Sequence, residues 1–200
     1  MPPKAKFTKQ QIAEAGLDII RAEAGLDIIR NEGMENLTAR ALGKRLGSSA
    51  CPIFTVFENM EEVQAEINKA ARAVYSEYVK KGLKEELAFK GVGTQYIMFA
   101  IKEPRLFQLL FMSEQSQQPS VSKVLPVIDD NYEAILLSVQ NCYNLSKEKS
   151  ERLYKHLWIY THGIAVLCAT NMCTFTADEI ANMISEVFKG TLKEIIGAEQ

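Results

Sequence analysis

Cysteine, proline and glycine are scarce: four, six and eleven residues in a chain of 200. So few prolines and glycines leave little room for the many tight turns of an all-β fold. Long apolar runs are missing too. The longest, around Ile164 to Ala169, is far too short to span a bilayer, so no membrane partner is expected. An excess of one charge is also absent, with 23 Lys and Arg against 25 Asp and Glu and a formal net charge of −2. A basic coat for nucleic acid is thereby excluded, and any DNA contact must be local. Met1-Pro-Pro-Lys-Ala-Lys-Phe7 has no apolar core of a secretory leader, which leads to the expectation of a cytoplasmic protein.

The four cysteines, Cys51, Cys142, Cys168 and Cys173, are expected to be reduced and mostly buried thiols. Cys168 and Cys173 on one helix would point about 140° apart, a poor metal pair. There is no other metal-ligand spacing, no glycine-rich phosphate loop after a strand and no nucleophile motif. An enzyme is therefore not expected, nor a metal or cofactor.

What is present is an ordinary globular composition, 47% apolar and 24% charged, sufficient for a core without covalent staples. Near the front, Ala13-Glu-Ala-Gly-Leu-Asp-Ile-Ile-Arg21 is followed at once by the same nine residues, Ala22 to Arg30. With no third copy it reads as a tandem duplication and not as a solenoid. Nine helical residues amount to a net half-turn and a rise of about 13.5 Å. Leu17, Ile19 and Ile20 then face away from Leu26, Ile28 and Ile29, and both sets cannot share one apolar stripe. A continuous helix keeps its hydrogen-bond ladder, so the expectation is one long first helix with the second copy in the core.

Apolar residues recur at helical spacing along the rest of the chain, and no segment sustains strand alternation. The fold class is all-α, with about nine helices. Thr8 with Gln11 reads as a capping box for the first helix, Thr38 caps a second that Gly47 ends, and Ser49 caps a third with Pro52 in its first turn. A long helix follows Glu58-Asn59. Gly82 and the Gly91/Gly93 pair punctuate the next stretch, and Glu103-Pro104 breaks it. Ser146 and Thr176-Ala-Asp-Glu179 cap the last two helices.

Two short helices joined by a Gly-containing turn, the second beginning with small polar residues, make a helix-turn-helix. Leu37-Thr-Ala-Arg-Ala-Leu-Gly-Lys-Arg-Leu-Gly-Ser-Ser-Ala-Cys-Pro-Ile-Phe-Thr-Val-Phe57 fits that description. With Thr8 before an Ile-Ala-Glu-Ala helix, Asn31-Glu-Gly33 and Glu61-Glu62-Val63, it resembles the DNA-binding domain of TetR-type bacterial transcriptional repressors. Beyond Val63 the likeness is carried only by helical layout and by Trp158-Ile-Tyr-Thr-His162-Gly163.

The resemblance implies a three-helix DNA-binding domain over residues 1–58 and a ligand-binding and dimerisation domain over 59–200. It implies a ligand-responsive regulator that binds a palindromic operator in double-stranded DNA as a homodimer and leaves it when a small apolar ligand enters the second domain. The homodimer would form through the two C-terminal helices, whose apolar faces could instead close the monomer's own core. By position, Thr38 would cap the second helix and offer its amide to a phosphate, with Lys44 and Arg45 flanking the backbone. Ser48, Ser49, Cys51, Pro52 and Thr55 would lie at the groove. Phe54 stands where the family usually has Tyr, and Met60 where Lys is usual; each departure removes a phosphate contact and flattens the salt dependence of binding. The charge over 1–58 is only +1, eight basic against seven acidic residues. A scaffold or binding protein with weakened or lost DNA binding is the alternative.

For the ligand, Tyr96, Met98, Phe99, Phe107, Phe111, Met112, Tyr132, Tyr154 and Trp158 could as a group line a cavity between helices, or be ordinary core. His162, beside Gly163 on an apolar helix, reads first as a hydrogen-bonded core residue and second as a ligand contact. His156 reads as surface.

Overall fold

The structure, a computed structural model, describes residues 9–113 and 118–197, without the side chains of 9–20, 51 and 52. Thr8 and the hydroxyl of its expected capping box therefore lie outside the described residues. Among the described residues there are nine α-helices, two short 3-10 helices and no strand. The chain divides into two compact units between Ala71 and Arg72, inside a helix.

The first unit begins with α1 (Lys9–Glu32), one unbroken helix through both copies of the repeat. The second copy supplies the core: Leu26, Ile28 and Ile29 are each no more than 2% exposed. Arg21, at the junction of the copies, is half-buried. After a 3-10 turn at Met34–Asn36 comes α2 (Ala39–Arg45), capped by Thr38, whose Oγ1 accepts from the Ala41 amide at 3.1 Å. Next is a 3-10 helix, Cys51–Thr55, and then α3 (Met60–Leu83), whose first half brings Val63 and Ile67 to the core with Leu37, Leu42 and Ile53. A capping box opens α3: the Asn59 side chain accepts from the Glu62 amide, and the Glu62 carboxylate accepts from the Glu58 amide.

The second unit starts with the rest of α3. It continues with α4 (Ala88–Lys102), α5 (Pro104–Phe111), α6 (Val124–Ile128), α7 (Tyr132–Tyr143), α8 (Lys147–Ala169) and α9 (Ala177–Gly197). Helix α4 is the hub, packed against α5, α7 and α8, and α8 in turn packs against α9. The expected caps form: Ser146 Oγ accepts from the Lys149 amide, and Thr176 and Glu179 complete a capping box. Pro104 opens α5, where its missing N–H is no loss.

Three local expectations are revised. Gly91 and Gly93 do not punctuate the chain but lie inside α4. A Cβ on Gly91 would meet the Gly82 carbonyl oxygen at 2.4 Å, so Gly82 and Gly91 allow backbone to approach backbone. Ser49 does not cap a third α-helix: the segment is the 3-10 helix Cys51–Thr55, preceded by Ala50 with no side-chain cap. Nor are the thiols mostly buried: Cys142 and Cys173 are exposed and Cys168 is partly so, all three unbridged.

Candidate functional site

Two features of the molecule have the make-up of sites, one in each unit. In the first unit the turn after α2 folds back on that helix. The Ser48 amide donates to the Gly43 carbonyl at 2.8 Å, and a Cβ on Gly43 would lie 2.4 Å from the Ser49 carbonyl oxygen. Only glycine fits there. This tight packing explains the revised third helix: the Ser49 carbonyl lies against Gly43 and accepts from Ser48 Oγ at 3.1 Å, and Pro52 has no N–H to give.

The turn presents Thr38, Lys44, Arg45, Ser48 and Ser49 as exposed residues, followed by Phe54 (50% exposed) and Thr55. The Thr38 hydroxyl is engaged in capping, as described. Arg45 donates to Asp27 across 3.0 Å, with both side chains about half exposed. Such a pair is worth about 0–1 kcal/mol, so a phosphate could draw Arg45 away. Ile53 points inward and is 1% exposed, anchoring the short helix. The side chains of Cys51 and Pro52 lie outside the described residues.

In the second unit, helices α3, α4, α7, α8 and α9 and the residue after α6 enclose a cavity of about 370 Å³. Its walls are Tyr75, Phe89, Val92, Gly93, Tyr96, Asp129, Tyr143, Tyr154, Leu157, Trp158, Thr161, Ile184, Ser185 and Phe188, with Leu87, Lys90 and Lys189 exposed among them. Size and lining suit a small organic molecule.

Of the residues expected from sequence to meet a ligand, Tyr96, Tyr154 and Trp158 are on that wall. Phe99 and Phe107 are fully buried and form, with Phe111, a layer behind it. Their rings lie 5.0–5.5 Å from wall tyrosines: Phe99 at 5.4 Å and Phe111 at 5.0 Å from Tyr75, and Phe107 at 5.5 Å from Tyr96. Tyr132 stacks on the far side of Tyr154, ring centres 5.7 Å apart. His162 stacks on Trp158, and its Nδ1 is 2.9 Å from the Tyr96 hydroxyl. It is a hydrogen-bonded support of the wall, and burial depresses its pKa, favouring the neutral ring. His156 is exposed.

Asp129 went unnoticed in the sequence, as did Tyr75 and Tyr143. It lies just after α6 and is 5% exposed. Its Oδ2 accepts from the Tyr75 hydroxyl at 2.7 Å, and Oδ1 accepts from the Asn131 backbone and side-chain nitrogens at 2.9 and 3.0 Å. Burial raises the Asp129 pKa, against the lowering effect of those hydrogen bonds. Burial first, and then this carboxylate, push the Tyr75 and Tyr154 phenols well above their ordinary range. The nearby Arg72 is used elsewhere, donating to the Ile128 carbonyl at 3.0 Å and facing Asp130 at 3.7 Å.

Among the described residues no group of three or more His, Cys, Asp or Glu could hold a metal ion, and no helix is long and apolar enough to cross a membrane. The chain matches no protein-family model and no curated protein sequence.

Proposed function

We propose that the chain is a ligand-responsive transcriptional regulator, acting as a repressor: a cytoplasmic homodimer that holds a palindromic operator and releases it when a small ligand fills the second unit. The observation that carries the reading is the turn packed on Gly43, which holds Lys44, Arg45, Ser48, Ser49 and Thr55 on one short exposed stretch. Phosphate contacts from the basic pair would set position, and the small polar residues would read bases. The cavity supports the ligand response. Helix α3 runs through both units, with Tyr75 in the cavity wall and Val63 and Ile67 in the first unit's core. A ligand that moves Tyr75 would move the helix on which the DNA-reading unit is built, and with it the half-site spacing.

Dimerisation is assigned to α8 and α9. Ile159 on α8 is 46% exposed, and Gly163 and Gly190 have open space where a Cβ would stand. Small residues beside an exposed Ile let a second helix pair approach closely. No catalytic role is assigned to any residue.

One observation favours a second reading, a binding protein with weakened DNA recognition. The reading segment is a five-residue 3-10 helix with an exposed Phe54, and Arg45 is already paired to Asp27.

Substitution distinguishes the two. Lys44→Ala should weaken DNA binding about equally on all sequences and lower the salt slope by about one. Thr55→Ala should instead alter which sequence is preferred. Absence of both effects would favour the second reading.

A further inference from the structure

We infer that the cavity is built for an organic cation, an aromatic or alkyl amine whose ammonium meets the Asp129 carboxylate between tyrosine and tryptophan rings. This rests on the reading of the cavity as a ligand site and names the chemistry of its occupant.

The carboxylate is the starting point. An ionised carboxylate has about four acceptor positions. Three are filled, two on Oδ1 by Asn131 and one on Oδ2 by Tyr75. The position left open is on Oδ2, the oxygen beside Tyr75, and both residues line the cavity. A charge so deeply buried is unfavourable unless something of opposite sign offsets it. Among the described residues no Lys, Arg or His forms an ion pair with Asp129; the guanidinium of Arg72 faces Asp130 and the Ile128 carbonyl instead. The protein thus holds an acceptor without its cation, opening on an organic-sized space.

The walls agree. Tyr75, Tyr96, Tyr154 and Trp158 surround the space, and aromatic faces attract ammonium groups most when water is excluded. The hydroxyl of Tyr154, a residue 4% exposed in the cavity wall, can accept from an ammonium N–H. Lys90 and Lys189 also line the cavity and carry the opposing sign, but both are exposed, where solvent screens them. A neutral ligand would leave the carboxylate uncompensated, and an anion would be repelled by it.

The test is calorimetric titration of the full chain near neutral pH with three probes of one shape: para-butylbenzylammonium, para-butylbenzyl alcohol and para-butylbenzoate. The ammonium should bind about thirtyfold more tightly than the alcohol, the equivalent of about 2 kcal/mol for a desolvated cation among rings. Asp129→Asn should abolish that preference, and Trp158→Leu should reduce it. The comparison on the unsubstituted protein stands whether or not either variant folds. Equal or tighter binding of the alcohol or the benzoate overturns the inference, as does failure of all three probes to bind. A parallel titration with DNA separates the two readings. An ammonium that binds tightly without releasing DNA upholds the cation site and refutes the regulator.

Discussion

Replacing Gly43 by Ala is a sharp perturbation of the first unit, because two terms of opposite sign meet there. Alanine inside a helix is favoured over glycine by about 1 kcal/mol. Against that, the new Cβ would stand 2.4 Å from the Ser49 carbonyl oxygen, 2.7 Å from its carbon and 3.1 Å from the Ala50 nitrogen. All three are backbone atoms, so no side chain can swing aside. Overpacking of this kind costs about 1–3 kcal/mol. The retreat of residues 48–50 also stretches the 2.8 Å bond from the Ser48 amide to the Gly43 carbonyl, worth about 1 kcal/mol. The net is a destabilisation of about 2 kcal/mol, or a Tm lowered by about 4–8 °C for a chain of this size. Urea denaturation gives the stability, and amide exchange at Ser48 reports the turn itself. A variant as stable as the parent, or more stable, would show that helix propensity wins and that the turn is not packed as described.

Other expectations follow from the same coordinates. Leu26→Ala removes a side chain that is 1% exposed in the second copy of the repeat, and should destabilise by about 2–5 kcal/mol in chemical denaturation. His162 is held below its ordinary value of 6.5 by burial, so the unfolded chain binds its proton more readily. Its contribution is present above that value and is lost as pH falls through the depressed one, and His162→Gln should flatten that acid limb of stability. Asp129 is raised from 3.8, so the sign reverses: the native protein takes its proton first, and stability falls as pH climbs from there through the raised value. Asp129→Asn should lack that fall, as urea midpoints across the range would reveal.

How much of this was legible in the sequence depended on how local each feature is. Thr38, Ser146 and the Thr176–Glu179 pair mark helix starts because a cap is made by residues three apart, and all three form. Pro104 marks a boundary for an equally local reason. The repeat's register was open to reasoning as well, since a continuous helix keeps its ladder and leaves the second copy beside the rest of the unit. Gly91 misled because its role is tertiary: it is in a helix, and what it accommodates is the distant Gly82 carbonyl. The cavity was the least legible part. Tyr96 and Phe99 are three apart on one face of α4, yet Tyr96 reaches the wall and Phe99 is sealed behind it. Asp129, in an Asp-Asp-Asn run, becomes a buried acceptor only when Tyr75 of α3 is brought against it.

The most direct test of the central claim is selection of double-stranded DNA from a random-sequence pool by the full chain. The enriched sequence is then titrated with protein before and after addition of para-butylbenzylammonium. The account predicts enrichment of a two-fold symmetric site, with half-sites about 34–36 Å apart, and loss of affinity for it on addition of the ammonium. Recovery of unenriched sequence, or binding that the salt concentration alone governs, would contradict it.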